Sequence, residues 1–175
     1  MGALTGLTRI LQYSDTGAEP LIETLSEELD RMQDVHALLG VLADEDPPLA
    51  APLMLVDVLR EVELLHQLRI DLREVPLEVR FDRAALPLWA ARVPLTQAMV
   101  LLVERAALRT QSADGRVVLC CEGDEEVLRV RTEPAVEGAE DALGALAAAA
   151  GATWDECTAE LCVPTLVGRR RAERG

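Results

Sequence analysis

Pro94-Leu95-Thr96-Gln97-Ala98-Met99-Val100-Leu101-Leu102-Val103-Glu104-Arg105-Ala106-Ala107-Leu108-Arg109-Thr110 is the most informative run of the chain. Leu95, Met99, Leu102 and Ala106 recur at steps of three and four, so this run reads as a helix with one buried face. Pro94 suits its first turn, where a missing N–H costs nothing. Before it, Pro76-Leu77-Glu78-Val79-Arg80-Phe81 alternates as a strand does, and Leu86-Pro87-Leu88-Trp89-Ala90 reads as a second short strand. After it comes the turn Ala113-Asp114-Gly115. Arg116–Cys121 and Glu126–Arg131 then form a hairpin around Glu122-Gly123-Asp124. An Ala-rich helix from Glu140 to Ala150 is stopped by Gly151, and Ala152–Trp154 and Ala159–Pro164 read as closing strands. Residues 53–168 are thus expected to form one mixed sheet with helices on one face.

Upstream, Val58, Leu59, Val62, Leu65 and Leu68 predict a helix from about Leu55 to Leu72, with Asp57 favourably placed near its positive end. Asp44-Glu45-Asp46-Pro47-Pro48 is a linker, because two successive prolines cannot continue a helix. Residues 1–46 read as two helices, 3–14 and about 19–43, joined at Ser14-Asp15-Thr16-Gly17. Leu4, Leu7 and Leu11 stripe the first; Ile22, Leu25, Leu29 and Met32 stripe the second. This antiparallel hairpin cannot cover its own apolar face. Pairing two copies into a four-helix bundle would do so, with those seven residues as the dimer interface. The alternative is a hairpin folded back on its own C-terminal half. The expected class is α+β: a helical hairpin, an α/β sandwich, and a basic tail at 169–175.

Hydrophobic residues make up 50% of the 175, ample for a core, while aromatics at 2% cannot supply a base-stacking platform. A formal net charge of −14 argues against a general nucleic-acid or anionic-membrane surface. Every basic residue other than histidine is Arg, which excludes a Lys nucleophile or a phosphate-binding Lys. No apolar run reaches about 18 residues and no signal core is evident, so neither a membrane span nor export is expected and the cytoplasm is the expected location. Cys120, Cys121, Cys157 and Cys162 form no C-x-x-C pair, so no metal site is expected. They read as reduced, packed thiols, with Cys120 and Cys121 on opposite faces of a strand.

The order of elements resembles the core of a bacterial sensor histidine kinase. Leu7-Thr8-Arg9-Ile10-Leu11-Gln12-Tyr13 is similar to the L-T-x-I-L-x-Y that follows that family's phosphoacceptor box. The Leu55–Leu72 helix, the Gln97–Ala106 helix and Leu143–Ala152 follow in the family's order. The resemblance implies a dimerisation and phosphotransfer hairpin followed by an ATPase-type domain of the gyrase and histidine-kinase superfamily.

It also marks three departures. The family's helix reads roughly Q-v-l-x-N-L-l-x-N-A, and Arg105 stands where its Mg²⁺-holding Asn would be. Thr132-Glu133-Pro134-Ala135-Val136-Glu137-Gly138 replaces the adenine-binding D-x-G-x-G turn. No Gly-rich nucleotide lid separates that segment from the next helix. No cofactor is therefore expected, and the ATPase-type domain reads as degenerate. The register places the family's phosphoacceptor His at or just before Met1, with Thr5 and Gly6 where the family has N-P.

Of the internal histidines, His36 falls on the seam of the second helix. It is the internal candidate phosphoacceptor, with a pKa suited to nucleophilic use, set against a partly buried His bordering a helical core. His66 reads as a packed or locally bonded residue. The resemblance implies a docking surface on the first helix, with Thr8, Arg9, Gln12 and Tyr13 as exposed contacts. Two functions remain open: a non-catalytic, kinase-like dimer that docks a response regulator's receiver domain or a related kinase, or a histidine phosphotransferase that relays phosphoryl groups without binding ATP.

Overall fold

The computed structural model describes residues 49–69, 72, 74–82, 87–110, 115–136 and 140–173, together with Leu29 and Met32. The chain divides into two units, Met1–Asp44 and Glu45–Gly175. In the first, Leu29 and Met32 are helical and exposed, at 45% and 61%. The remaining hairpin positions lie outside the described residues.

The second unit runs β1 (Ala51–Met54), α1 (Leu55–Leu68), β2 (Leu77–Phe81), β3 (Pro87–Ala90), α2 (Arg92–Thr110), β4 (Val117–Gly123), β5 (Val127–Glu133), α3 (Glu140–Ala150), β6 (Thr153–Asp155), β7 (Glu160–Pro164) and α4 (Leu166–Ala172). Five strands form a mixed sheet in the order β2-β4-β5-β7-β6. β2 and β4 run parallel and the other neighbours antiparallel. β1 and β3 form a separate antiparallel pair.

The core lies between one face of the large sheet and α1, α2 and α3. α2 buries Leu95, Ala98, Met99, Leu102, Val103, Ala106 and Ala107. Those residues cover more than one face, because α2 packs against α1, α3 and the sheet. From α3 come Leu143, Ala147 and Ala150. Small side chains on both helices permit their close approach. α3 ends in a Schellman turn: Gly151 sits at φ +78°, its N–H reaches Ala148 O at 3.1 Å, and the Ala152 N–H reaches Ala147 O at 2.8 Å. β4 and β5 send Val117, Leu119, Cys121, Leu128 and Val130 inward. Glu122, Arg129, Arg131 and Glu133 are carried on the other face, where Arg131 bridges both glutamates.

Several expectations are corrected. The helix expected to reach Leu72 stops at Leu68; the chain then turns through short bonds from Arg69 N to His66 O and from Leu72 N to Arg69 O. Leu72 is buried although it is not helical, so its apolar character extends the helical pattern past the helix. The β4–β5 turn lies at 124–126 rather than 122–124, because the Asp124 carboxylate accepts the N–H groups of Glu126 and Val127 at 2.8 and 2.9 Å. β1 has no counterpart among the elements expected from the sequence. Arg169-Arg170-Arg171 are helical, in α4. Cys157 is exposed, so the four thiols are free but not all packed.

Candidate functional site

The candidate site is the exposed side of α2 and the segment following β5. Arg105 is exposed on α2. One turn later, Arg109 Nη1 donates to Ala135 O at 2.9 Å, tying the helix to that segment. There the Thr132 hydroxyl donates to Pro134 O at 3.0 Å, and Val136 is 5% exposed and joins the core. Six residues, 134–139, separate β5 from α3. The segment that follows β5 thus has Val136 buried and the Ala135 carbonyl held by Arg109. Arg105 is a donor-only cation with no oxygen to offer a metal ion.

Two polar clusters tie α1 to α2. Glu61, with a side chain 11% exposed, accepts Arg92 Nε at 2.7 Å and the Thr96 hydroxyl at 2.8 Å, and also pairs with Arg92 Nη2. Thr96 is fully buried. This cluster was not legible in the sequence: its members are 31 and 35 positions apart, and nothing marks Glu61 among the other acids of α1. The second cluster is His66 with Arg69 and Glu104. The buried His66 Nε2–H donates to Val75 O at 2.9 Å, the local bonding expected of it. Arg69 Nη1 meets Glu104 Oε2 at 3.1 Å. With Val62, Leu72, Val100 and Val103 these groups line a gap of about 10 Å³, room for about one water and far too small for a nucleotide.

A shallow cleft of about 430 Å³ lies elsewhere, lined by Trp89, Val127, Pro164, Gly168 and Arg169 among others. Burial pushes the Cys121 thiol up to about 12, reinforced by neighbouring Cys120. Cys120 is raised chiefly by burial and then by Glu133; Cys162 is raised by burial and then by Glu160. None of these three is poised as a thiolate nucleophile. Among the described residues no group of three His, Cys, Asp or Glu side chains could hold a metal ion. Among them, too, no helix is long and apolar enough to cross a membrane.

His36, Thr8, Arg9, Gln12, Tyr13, Leu4, Leu7, Leu11, Ile22 and Leu25 lie outside the described residues.

No family model and no curated protein matches the chain. Among solved structures, the catalytic domain of histidine kinase ThkA aligns with a TM-score of 0.42 and 22% identity, over 47% of this chain and 56% of that one. The chain thus spans little more than half the length of that domain. Histidine kinase ThkA in complex with response regulator protein TrrA gives 0.43 and 19%, over 75% and 39%. The Acinetobacter baumannii histidine kinase AdeS gives 0.46 and 16%, over 94% and 92%. These structural neighbours of the α+β chain are histidine kinases or a histidine-kinase domain.

Proposed function

We propose that this chain is a non-catalytic, histidine-kinase-like signalling protein that dimerises through residues 1–46 and docks a response regulator's receiver domain or a related kinase there. One observation carries the proposal: after β5 Val136 is buried and Ala135 O accepts from Arg109, beside a helix in which Arg105 stands where the resemblance implies an Mg²⁺-holding Asn. The α2 scaffold is kept while the chemistry it would serve is gone. Function then falls to the hairpin. Two of its seam residues, Leu29 and Met32, are helical and exposed in the single chain, which supports a second copy covering them.

Light scattering of the full chain is expected to give twice the mass of one chain. Leu29→Glu with Met32→Glu is expected to give a folded monomer, since a charge at a bundle seam would be buried unpaired. Titration with receiver domains is expected to show binding that Arg9→Glu weakens. A wild-type monomer that binds no receiver domain contradicts the proposal. The same loss of nucleotide chemistry suits a phosphotransferase, with His36 as internal acceptor. Phosphoryl transfer from a labelled receiver, abolished by His36→Ala, would select that function.

A further inference from the structure

We infer that the edge of β2 away from β4, unpaired among the described residues, is a self-complementary docking strand whose partner is β2 of a second copy of this chain. β2 is the outermost strand of the five-stranded sheet and pairs only with β4 among the described residues. Pro76 O accepts from Val117 N, and Asp82 N donates to Cys121 O, so even-numbered positions turn their backbone groups toward β4. The alternation of a strand then leaves the N–H and C=O groups of Leu77, Val79 and Phe81 on the open edge. The side chains of Leu77 and Val79 are only partly buried against the core, and Phe81 is 44% exposed. An edge with unpaired backbone groups and exposed apolar side chains is a template for another strand.

The order of residues in β2 selects the occupant. Leu77-Glu78-Val79-Arg80-Phe81 reads apolar, acid, apolar, base, apolar. An antiparallel pair with its two-fold axis at Val79 sets Leu77 against Phe81 of the partner subunit and Val79 against the partner's Val79. Each of those pairs uses the outward backbone groups. The same register sets Glu78 opposite the partner's Arg80 and Arg80 opposite the partner's Glu78. These fall at the non-hydrogen-bonded sites, where side chains of facing strands come closest. Within one chain Glu78 already holds Arg80 at 2.6 Å and Arg116 at 3.0 Å. Pairing would redistribute these contacts across the interface. A parallel or shifted register would oppose like charges or leave them unmatched. A five-residue strand is only about 16 Å long, so the contact is weak alone and acts at high local concentration.

Sedimentation velocity of the full chain from about 5 to about 500 μM tests this. The mean mass is expected to rise with concentration, beyond the dimer if the hairpin pairs two copies and from monomer to dimer if it does not. Arg80→Glu places acid against acid, and Glu78→Arg places base against base. Each is expected to weaken the association about tenfold while retaining the wild-type melting temperature within a few degrees. An equimolar mixture of the two variants is expected to recover it, because each then faces the opposite charge. Concentration-independent mass in the wild type overturns the inference. So does association indifferent to both reversals, which would assign it to another surface or to a different strand.

Discussion

Replacing Gly168 with Ala is expected to destabilise the protein by about 2–3 kcal/mol, seen as a fall of roughly 5–10 °C in the melting temperature. Helix propensity alone predicts the opposite sign, a gain of about 1 kcal/mol. The reason is contact. A Cβ at Gly168 would overlap the Glu126 carbonyl oxygen, and it would stand 2.9 Å from the Glu126 Cα and carbonyl carbon. Those atoms cannot retreat, because they belong to the turn on which α4 is docked. Thr165 N donates to Glu126 O at 2.9 Å, and the Thr165 hydroxyl bonds Glu125 O. That hydroxyl oxygen also caps α4 by accepting Gly168 N–H at 3.0 Å. Arg171 pairs with Glu126 on the same side. Gly144 is the control. It lies within α3, and a Cβ there meets nothing within 4 Å. Gly144→Ala is therefore expected to stabilise by about 0.5–1 kcal/mol. Thermal melts of the two variants should move in opposite directions.

Glu61→Ala is expected to cost about 2–3 kcal/mol in urea denaturation. Glu61 is the shared acceptor for Arg92 and Thr96, and its side chain is 11% exposed. Removing it leaves the Thr96 hydroxyl without its acceptor in a fully buried position. The ion-pair share is discounted, because the Arg92 side chain is 46% exposed and stays solvated. Thr96→Val, which keeps the Glu61–Arg92 pair, should cost about 1 kcal/mol. Equal losses for the two variants would show that the carboxylate adds nothing beyond the hydroxyl bond.

Most elements of the sandwich were legible because their periods are clean. α2 and α3 carry apolar residues at helical steps, and Gly151 marks a stop that its positive φ bears out. β4 and β5 alternate, and Cys121 faces the core while Cys120 sits among the charges of the other face. What escaped was set at long range. β1 has four residues and a proline, and it exists because β3, nearly forty positions on, pairs with it. Leu72 looks helical in sequence because a loop residue beneath α1 must also be apolar. The β4–β5 turn moved by two positions because a single carboxylate, Asp124, captured two backbone N–H groups. Cys157 is exposed beside a turn whose N–H groups Asp155 accepts. The α2 site was half legible. Arg105 and Pro134 could be seen as departures from a pattern, but the Arg109 clamp and the burial of Val136 needed the fold.

Under the proposed function, α2 packs the core but binds no nucleotide. Calorimetric titration of the full chain with Mg-ATP checks this. No binding heat is expected up to about 1 mM nucleotide, and the same flat trace for Arg105→Asn, because that change alone puts no Asp into the segment after β5. Saturable Mg-ATP binding by the wild type, at about 100 μM or tighter, would contradict it.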